Sequence, residues 1–294
     1  MKVTFLGVST LLFDDGETAI LTDGFFTRPG KLRTLIWKIA PKPKVIARCL
    51  ERAKVRNLKA VIVLHSHYDH AFDAPVVARQ TGAQLIGSES TANIARGYGL
   101  PEQQITVIKD GQSIPFGRFN IIPIPSVHSP LTLLTHIHIH RVLLKGDITR
   151  PLQPPAWWTD YKEGGCYAMH IEHDGRSMLV QGSGGFKRDT FSGVHAEVVF
   201  LGIGTLGKLD EDYRGEYWRQ TVSMVGAKRV IPIHWDDFFR SLDRPLVPMS
   251  RSVDDFDKTM EFLRERGRQE QVEVKLLREW VETDPFAGLE GSAQ

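Results

Sequence analysis

A group of metal-competent side chains directly follows a predicted buried strand, and no other feature constrains this chain as much. The run K-A-V-I-V-L at 59–64 is apolar, rich in β-branched residues and too short for a helix, which predicts a buried strand. The next six residues read H-S-H-Y-D-H and supply His65, His67, Asp69 and His70. Residues two apart in an extended turn share one side, so the first two histidines can face a common point, and the other two ligands fall on the next bend. The pattern predicts a metal site, and a polar loop that happens to be rich in histidine is the alternative.

Two later strands are also predicted to run into a histidine. The segment I-I-P-I-P-S-V-H places His128 just after a strand, and R-V-I-P-I-H places His234 directly after a strand at 229–233. A metal held after the first strand needs further ligands, and these two histidines are the candidates. Neutral imidazole and carboxylate suit Zn²⁺ well and Fe²⁺ or Mn²⁺ acceptably.

Short strands and helices alternate along the chain, which predicts an α/β protein. The predicted helices lie near 44–54, 74–81, 90–98 and 212–225. Besides an opening β-hairpin, the predicted strands lie near 84–86, 104–108, 119–124, 133–144, 166–172, 177–181 and 197–203. A last helix is predicted to begin near Ser252 and to stop at Gly267.

The positions of the ligand candidates decide between one domain and two. His65 lies in the first half of the 294-residue chain and His234 in the second, so both halves must close on one site. We therefore expect a single domain over 1–283, followed by a flexible C-terminal tail over 284–294.

Composition excludes several classes of protein. The chain has 37 Lys+Arg against 35 Asp+Glu, and this balance gives no field for binding a polyanion, so nucleic acid is not an expected partner. No run approaches the ~20 apolar residues of a transmembrane helix, and the first residues do not read as a signal peptide. Cys49 and Cys166 lie far apart, which excludes a disulfide framework or a four-cysteine zinc site. These features predict a cytoplasmic protein.

The complete motif set resembles that of the metallo-β-lactamase fold superfamily of hydrolases. The shared pattern is H-x-H-x-D-H, then a histidine after P-S-V, then a histidine after P-I. Within that superfamily, T-F-L-G-V-S-T-L-L-F, I-L-T-D-G and I-H-W-D-D-F look most like the lactonase and N-acyl-phosphatidylethanolamine phospholipase-like branch. The resemblance spans roughly residues 1–240.

The resemblance implies a four-layered αββα sandwich, with two mixed sheets flanked by helices and the site at one edge of the sheets. It implies one or two bound ions, Zn²⁺ first and Mn²⁺ or Fe²⁺ as alternatives. The first ion would be held by His65, His67 and His128, and the second by Asp69, His70 and His234. Asp23 matches an aspartate that orients a ligand through hydrogen bonds, although by itself it reads equally well as a turn residue.

One position departs from the family pattern. The family usually places an aspartate that bridges two metal ions in the stretch that corresponds to L-V-Q-G-S-G-G-F, where this chain has Ser183. Five neutral imidazoles and one carboxylate would leave a formal charge of about +3 on a two-metal site. We therefore expect the second ion to bind more weakly than the first. Asp147, Asp236 or Asp237 could compensate, and the alternative for each is a solvated loop residue.

A second histidine-rich segment, T-H-I-H-I-H at 135–140, reads as an ordinary strand. His136, His138 and His140 would share one polar face above buried isoleucines. Side chains on one face of a strand are ~6.6 Å apart, so three in line do not readily chelate one ion.

The aromatic loop at 149–167 is the candidate for the substrate-binding rim. It carries Trp157, Trp158 and Tyr161 among many Pro and Gly residues, and such loops often wall a cleft. Packing against a neighbouring subunit of a homo-oligomer is the alternative. The rim, to which Phe25, Phe26, Trp37 and Phe238 could contribute, favours a small-molecule substrate with an apolar portion.

The expected chemistry is metal-assisted hydrolysis of an ester, lactone or phosphodiester bond. A metal ion lowers the pKa of bound water from about 15.7 toward ~7, which gives a metal-bound hydroxide at neutral pH. Asp69 would position this hydroxide and receive its proton, and His234 would lie on the leaving-group side. The alternatives are a non-catalytic or regulatory metal-binding protein with degenerate chemistry, and a nuclease, which the balanced charge disfavours.

Overall fold

The computed structural model describes residues 1–130 and 144–289, and the strands within these ranges form two sheets. The strands of the first sheet, each beside its neighbours in chain order, are β1 (Lys2–Phe5), β2 (Leu11–Asp14), β3 (Ala19–Thr22), β4 (Leu58–Ile62), β5 (Gln84–Gly87) and β6 (Ile105–Val107). The strands β1 to β3 pair antiparallel, and β3 to β6 pair parallel. The sheet is therefore mixed.

The second sheet follows the same plan in the other half of the chain. Its strands are β7 (Ile114–Phe116), β8 (Phe119–Ser126), β9 (Cys166–His173), β10 (Arg176–Gln181), β11 (Val198–Gly202), β12 (Arg229–Ile233) and β13 (Glu273–Val274). The strands β7 to β10 pair antiparallel, and β10 to β13 pair parallel.

Helices cover the outer faces of the two sheets. The α-helices given for the described ranges are α1 (Lys31–Ile36), α2 (Pro43–Arg52), α3 (Tyr68–Ala71), α4 (Ala74–Thr81), α5 (Glu89–Gly97), α6 (Glu211–Trp218) and α7 (Phe256–Glu270). Short 3₁₀ turns lie at Glu102–Gln104, Trp158–Asp160 and Leu206–Lys208, and a π turn at Arg219–Ser223 continues α6. Across the described ranges, every helix is too short or too polar to span a lipid bilayer.

The side chains of β4 and of the two residues after it show how the layers form. Ala60, Ile62 and Leu64 belong to the core shared by the two sheets, whereas Val61 and Val63 belong to the core beneath the helices of the first half. Alternate residues of a strand point to opposite faces, so a strand buried on both sides reads as a continuous apolar run. The predicted four-layered αββα architecture, with two mixed sheets flanked by helices, is confirmed.

The last helix differs from the sequence prediction at both ends. It begins at Phe256 rather than near Ser252, because the Asp255 side chain accepts a hydrogen bond from the Lys258 N–H and caps the first turn. Gly267 lies inside the helix and does not end it. A Cβ atom at Gly267 would lie 2.5 Å from the carbonyl oxygen of Val272, so this glycine permits a close approach of the following chain.

The segment after residue 283 also differs from the expected flexible tail, as far as it is described. Phe286 is buried in the core of the second sheet. The Arg229 guanidinium donates hydrogen bonds to the carbonyl oxygens of Pro285 and Ala287. These contacts hold residues 284–289 against β12. Residues 290–294 lie outside the described residues, and so do residues 133–143 of the strand predicted near 133–144, with its three histidines.

Candidate metal centre

The H-S-H-Y-D-H segment turns from strand to helix within six residues. His67 has extended backbone and precedes the single turn of α3, and its carbonyl oxygen accepts hydrogen bonds from the N–H groups of His70 and Ala71. This turn separates the two earlier histidines from Asp69 and His70. The local chain therefore delivers two pairs of side chains to two neighbouring positions.

The first group of side chains that could hold a metal ion consists of His65, His67 and His128. One ring nitrogen from each lies within 4.8 Å of the others. The Nε2 atom of His65 lies 3.1 Å from Nδ1 of His67. The ring of His128 lies 4.9 Å from that of His65 and 4.7 Å from that of His67, centroid to centroid. The loop after β8 thus meets the loop after β4.

The second group consists of Asp69, His70 and His234. The Nε2 atoms of the two histidines lie 3.1 Å apart, and Nε2 of His234 lies 3.3 Å from Oδ2 of Asp69. The backbone of His234 is left-handed, with φ of 58°, and its N–H donates to the carbonyl oxygen of Val8 at 2.6 Å. This contact anchors the residue after β12 to the loop after β1. Both halves of the chain therefore build the group.

Asp23 holds His70 in one orientation. It is fully buried, and its Oδ2 atom accepts hydrogen bonds from Nδ1 of His70 at 2.7 Å and from Oγ of Ser9 at 2.5 Å. Its Oδ1 atom accepts the Leu64 N–H at 2.9 Å. With the proton of His70 on Nδ1, its Nε2 atom presents a lone pair to the second group.

The donor set fits divalent metal ions. Two ligands bound to one tetrahedral Zn²⁺ at 2.0–2.1 Å lie about 3.3 Å apart, close to the separations observed within each group. The Nδ1 atom of His65 is buried and has no hydrogen-bond partner within the described ranges. Six potential ligand atoms of imidazole and carboxylate type therefore form two compact groups that suit divalent ions.

Burial keeps the first group in the form that binds metal. It lowers the pKa of His65 and His128 well below the usual value, and the pKa of His67 to about 4. The neighbouring imidazoles add to the effect at His65. Burial alone would also lower the pKa of His70, but the carboxylates of Asp23 and Asp69 raise it. The first three imidazoles are thus neutral near pH 7 and carry free lone pairs.

Ser183 lies in the wall of the same cleft, but its side chain is already engaged. Its Oγ atom accepts the Ser129 N–H at 2.9 Å and so supports the loop that carries His128. Asp236 is buried in an ion pair with Arg28, with Oδ2 and Nη1 2.7 Å apart, and Asp147 is exposed. Neither aspartate completes a ligand group among the described residues.

The cleft beside the two groups is lined by two of the aromatic residues that the sequence suggests for the rim. Trp158 and Phe238 form part of its wall. The structure corrects the prediction for Tyr161, which is fully buried and shares a 2.6 Å hydrogen bond with the hydroxyl of Tyr98. Trp157 is 41% exposed and does not line the cleft. A 3₁₀ turn at Trp158–Asp160 separates these neighbouring side chains.

Other parts of the wall have no signal in the sequence. Asp254 lies in the cleft wall, where its carboxylate accepts the N–H groups of Thr205 and Gly207 at 3.0 and 3.1 Å. Met249 and Val253 supply apolar wall from the same loop. The sequence predicts Val253 and Asp254 as part of the last helix and Met249 as lying just before it.

Fold and site together define the class of protein. A sequence profile of the metallo-beta-lactamase superfamily matches residues 3–193. The chain belongs to this superfamily, and it is a metal-dependent hydrolase. A UPF0173 metal-dependent hydrolase of Heliobacterium modesticaldum is 31% identical over 248 residues, which cover 81% of this chain and 84% of that protein.

Solved structures share the fold at low sequence identity. Igni18, a metallo hydrolase from the archaeon Ignicoccus hospitalis, superposes with a TM-score of 0.59 and 16% identity over 96% of this chain and 97% of its own. An isothiocyanate hydrolase from Delia radicum gut bacteria superposes with a TM-score of 0.58 and 14% identity over 97% and 98%. At these identities the likeness concerns the fold alone.

Proposed function

We propose that the protein hydrolyses an ester, lactone or phosphodiester bond in a small, partly apolar substrate. The observation that carries this proposal is the pair of three-residue ligand groups, whose ligating atoms lie within 4.8 Å of one another in each group, at one cleft. We assign Zn²⁺ as the ion, with Mn²⁺ or Fe²⁺ as alternatives. The likeness of the sequence motifs to the lactonase and phospholipase-like branch supports this choice of bonds.

His65, His67 and His128 would hold the first ion, and Asp69, His70 and His234 the second. A bound ion would supply an acidic water as nucleophile and would polarise the bond to be cleaved. Asp69 orients this water and accepts its proton, since its carboxylate borders the cleft and contacts Nε2 of His234. His234, which also borders the cleft, would lie on the side of the leaving group.

The charge of the ligands supports unequal affinity for two ions. The six side chains include one carboxylate, and the hydroxyl of Ser183 adds no negative charge. Two divalent ions would therefore retain a formal charge of about +3. We propose that the first group binds its ion more tightly than the second.

The cleft supports a partly apolar, small-molecule substrate. Trp158, Phe238 and Met249 contribute apolar wall beside the ligand groups. The balance of 37 basic against 35 acidic residues gives no support for a nuclease. We also propose that the protein is cytoplasmic. A homo-oligomer is the candidate form of its assembly.

A metal-reconstitution experiment tests the proposal. The protein is stripped with a chelator, reloaded with Zn²⁺ or Mn²⁺, and offered a panel of aryl esters, lactones and bis(4-nitrophenyl) phosphate. We expect turnover only after reloading. His67→Ala should lose bound metal and turnover together, while His195→Ala, at an exposed histidine outside the cleft, should lose neither.

The outcomes separate the rival functions. Turnover by the stripped protein, or by a metal-free His67→Ala variant, would refute a metal-dependent reaction. Tight metal binding without turnover of any panel member would favour the non-catalytic alternative.

A further inference from the structure

The loop between β1 and β2, residues 6–10, contacts both histidines of the second ligand group. The carbonyl oxygen of Val8 accepts the His234 N–H at 2.6 Å. The next residue, Ser9, lies with its Oγ atom 3.0 Å from Nδ1 of His70. The Nε2 atoms of the two histidines lie 3.1 Å apart. This loop, called the β1–β2 loop below, therefore helps to set the spacing of two proposed ligands.

The backbone of the β1–β2 loop holds an unfavourable conformation at Val8. Its φ is 52°, in the left-handed region that a β-branched residue rarely enters, and its side chain is fully buried. His234, across the hydrogen bond from Val8, is also left-handed, with φ of 58°. Such strain persists only where the surrounding contacts hold it in place. The contacts that hold Val8 thus also set where the backbone of His234 can lie.

Asp236 holds the Val8 backbone from the other side. Its Oδ1 atom accepts the Val8 N–H at 2.7 Å, while the Val8 carbonyl oxygen accepts the N–H of His234, two residues before this aspartate. The Asp236 side chain is fully buried and borders the cleft, yet it is in neither of the two ligand groups. The two hydrogen bonds close a ring that joins the β1–β2 loop to the segment that carries the ligand.

The guanidinium of Arg28 pairs with this buried carboxylate. Its Nη1 atom lies 2.7 Å from Oδ2 of Asp236, and neither side chain is exposed. A Cβ atom at Gly7 would clash with Nη2 of Arg28, so the glycine makes room for the guanidinium beside the β1–β2 loop. Taking two charges out of water is costly, and a buried ion pair is therefore weak evidence of a purely stabilising role.

We propose that Asp236 is a positioning residue of the second ligand group, which acts through the Val8 backbone to hold His234 beside His70. Arg28 balances the charge of the aspartate in the protein interior. This inference rests on the proposed second ion and assigns a role to a pair of residues outside the ligand groups. Asp236 serves the site without binding an ion itself.

Two double variants that differ in a single side chain test this role. Arg28→Met/Asp236→Asn removes both charges but keeps an amide oxygen that can accept the Val8 N–H. Arg28→Met/Asp236→Leu removes both charges and the acceptor as well. Neither variant leaves an unpaired buried ion, which is the costly consequence of replacing only one partner. Circular dichroism and Tm establish that both variants are folded.

The measured quantity is the affinity for each ion, obtained by equilibrium dialysis at fixed free Zn²⁺ and elemental analysis of bound metal. The Leu double variant should bind the second ion at least about tenfold more weakly than the unmodified protein, as is typical when a residue that orients a metal ligand is lost. The Asn double variant should recover most of this affinity. All three proteins should bind the first ion equally, because its ligands lie on the loops after β4 and β8.

Asp15 provides a matched control away from the cleft. Its carboxylate also accepts a backbone N–H, from Thr18 at 2.7 Å, and also pairs with an arginine, Arg118, at 3.1 Å. The Asp15 side chain is buried and does not line the cleft. Asp15→Leu should therefore lower Tm and leave the affinity for both ions unchanged.

The outcomes distinguish this inference from the proposed reaction. Equal affinity of the two double variants for the second ion overturns the positioning role, and so does an equal loss of both ions from the Leu double variant. An unmodified protein that binds only one ion also overturns it, even if esters are hydrolysed. A loss of the second ion confined to the Leu double variant, without turnover of any ester, lactone or phosphodiester, supports the positioning role while the proposed reaction fails.

Discussion

The substitution Asp23→Asn should weaken metal binding at one ligand group and spare the other. Asp23 accepts the Nδ1 proton of His70 at 2.7 Å, which leaves Nε2 of His70 free to bind an ion. The amide of the variant can still accept the Leu64 N–H, but its NH₂ group then faces Nδ1 of His70. To accept from this group, His70 must carry its proton on Nε2, the atom that would bind the ion.

The size of the effect follows from the hydrogen bond that is lost. A buried bond to an ionised carboxylate contributes about 1.5–3 kcal/mol. Since every 1.4 kcal/mol is tenfold in affinity, the second ion should bind about 10- to 100-fold more weakly. The first group makes no hydrogen bond to Asp23 within the described residues and should retain its ion.

The assay is equilibrium dialysis against buffers of fixed free Zn²⁺, followed by elemental analysis of bound metal. Ser9→Ala is the matched control, because it removes the Ser9 hydroxyl, which contacts both the same Asp23 oxygen and Nδ1 of His70, but keeps the carboxylate that sets the tautomer of His70. Its effect on the second ion should be clearly smaller. If Asp23→Asn and the unmodified protein bind both ions alike, Asp23 does not set the tautomer of His70 and the reasoning fails.

Three further predictions concern the second ion, acid stability and the core between the sheets. Ser183→Asp should supply the missing carboxylate and raise affinity for the second ion by at least about tenfold in calorimetric titration, unless both ions already bind equally tightly. Burial alone would raise the pKa of Asp15, but hydrogen bonds, first from the Thr18 N–H and then from His173, outweigh it and lower the pKa from 3.8 to about 2. The Asp15 carboxylate therefore stabilises the fold fully above pH 3.8 and progressively less as the pH falls toward 2. Asp15→Asn should lower the free energy of unfolding, measured in urea, by about 2 kcal/mol at pH 7 and by little at pH 2. Phe200→Ala should lower the free energy of unfolding by about 3–5 kcal/mol at pH 7, because Phe200 is fully buried and packs edge-to-face on Phe13 of the other sheet. A loss below about 1 kcal/mol would contradict that packing.

The site residues that could be predicted are those with strong local constraints. His65, His67, Asp69 and His70 lie within six residues, so the turn from strand to helix determines where they point. The apolar run before them has the composition of a strand buried on both faces, and the structure places it in the middle of the first sheet. Periodicity and local turn chemistry suffice for such features, because neighbouring residues alone set the geometry.

The local sequence of the aromatic loop does not predict which of its side chains line the cleft. Trp158 and Tyr161 occur three residues apart in one loop and look equivalent as rim candidates. Only Trp158 lines the cleft, because Tyr161 is drawn into the core by its hydrogen bond to Tyr98 and its contact with Phe72. Those partners are distant along the chain, and no pattern within the loop indicates them.

The sequence by itself determined the α/β architecture and the chemistry of the ligands, since both depend on residue type and short-range spacing. Only the tertiary structure decided that Asp236 is engaged by Arg28 and that residues 284–289 are held by Arg229. Each of these features joins segments far apart in the chain, and such contacts form only when both sheets and their connecting loops are packed together.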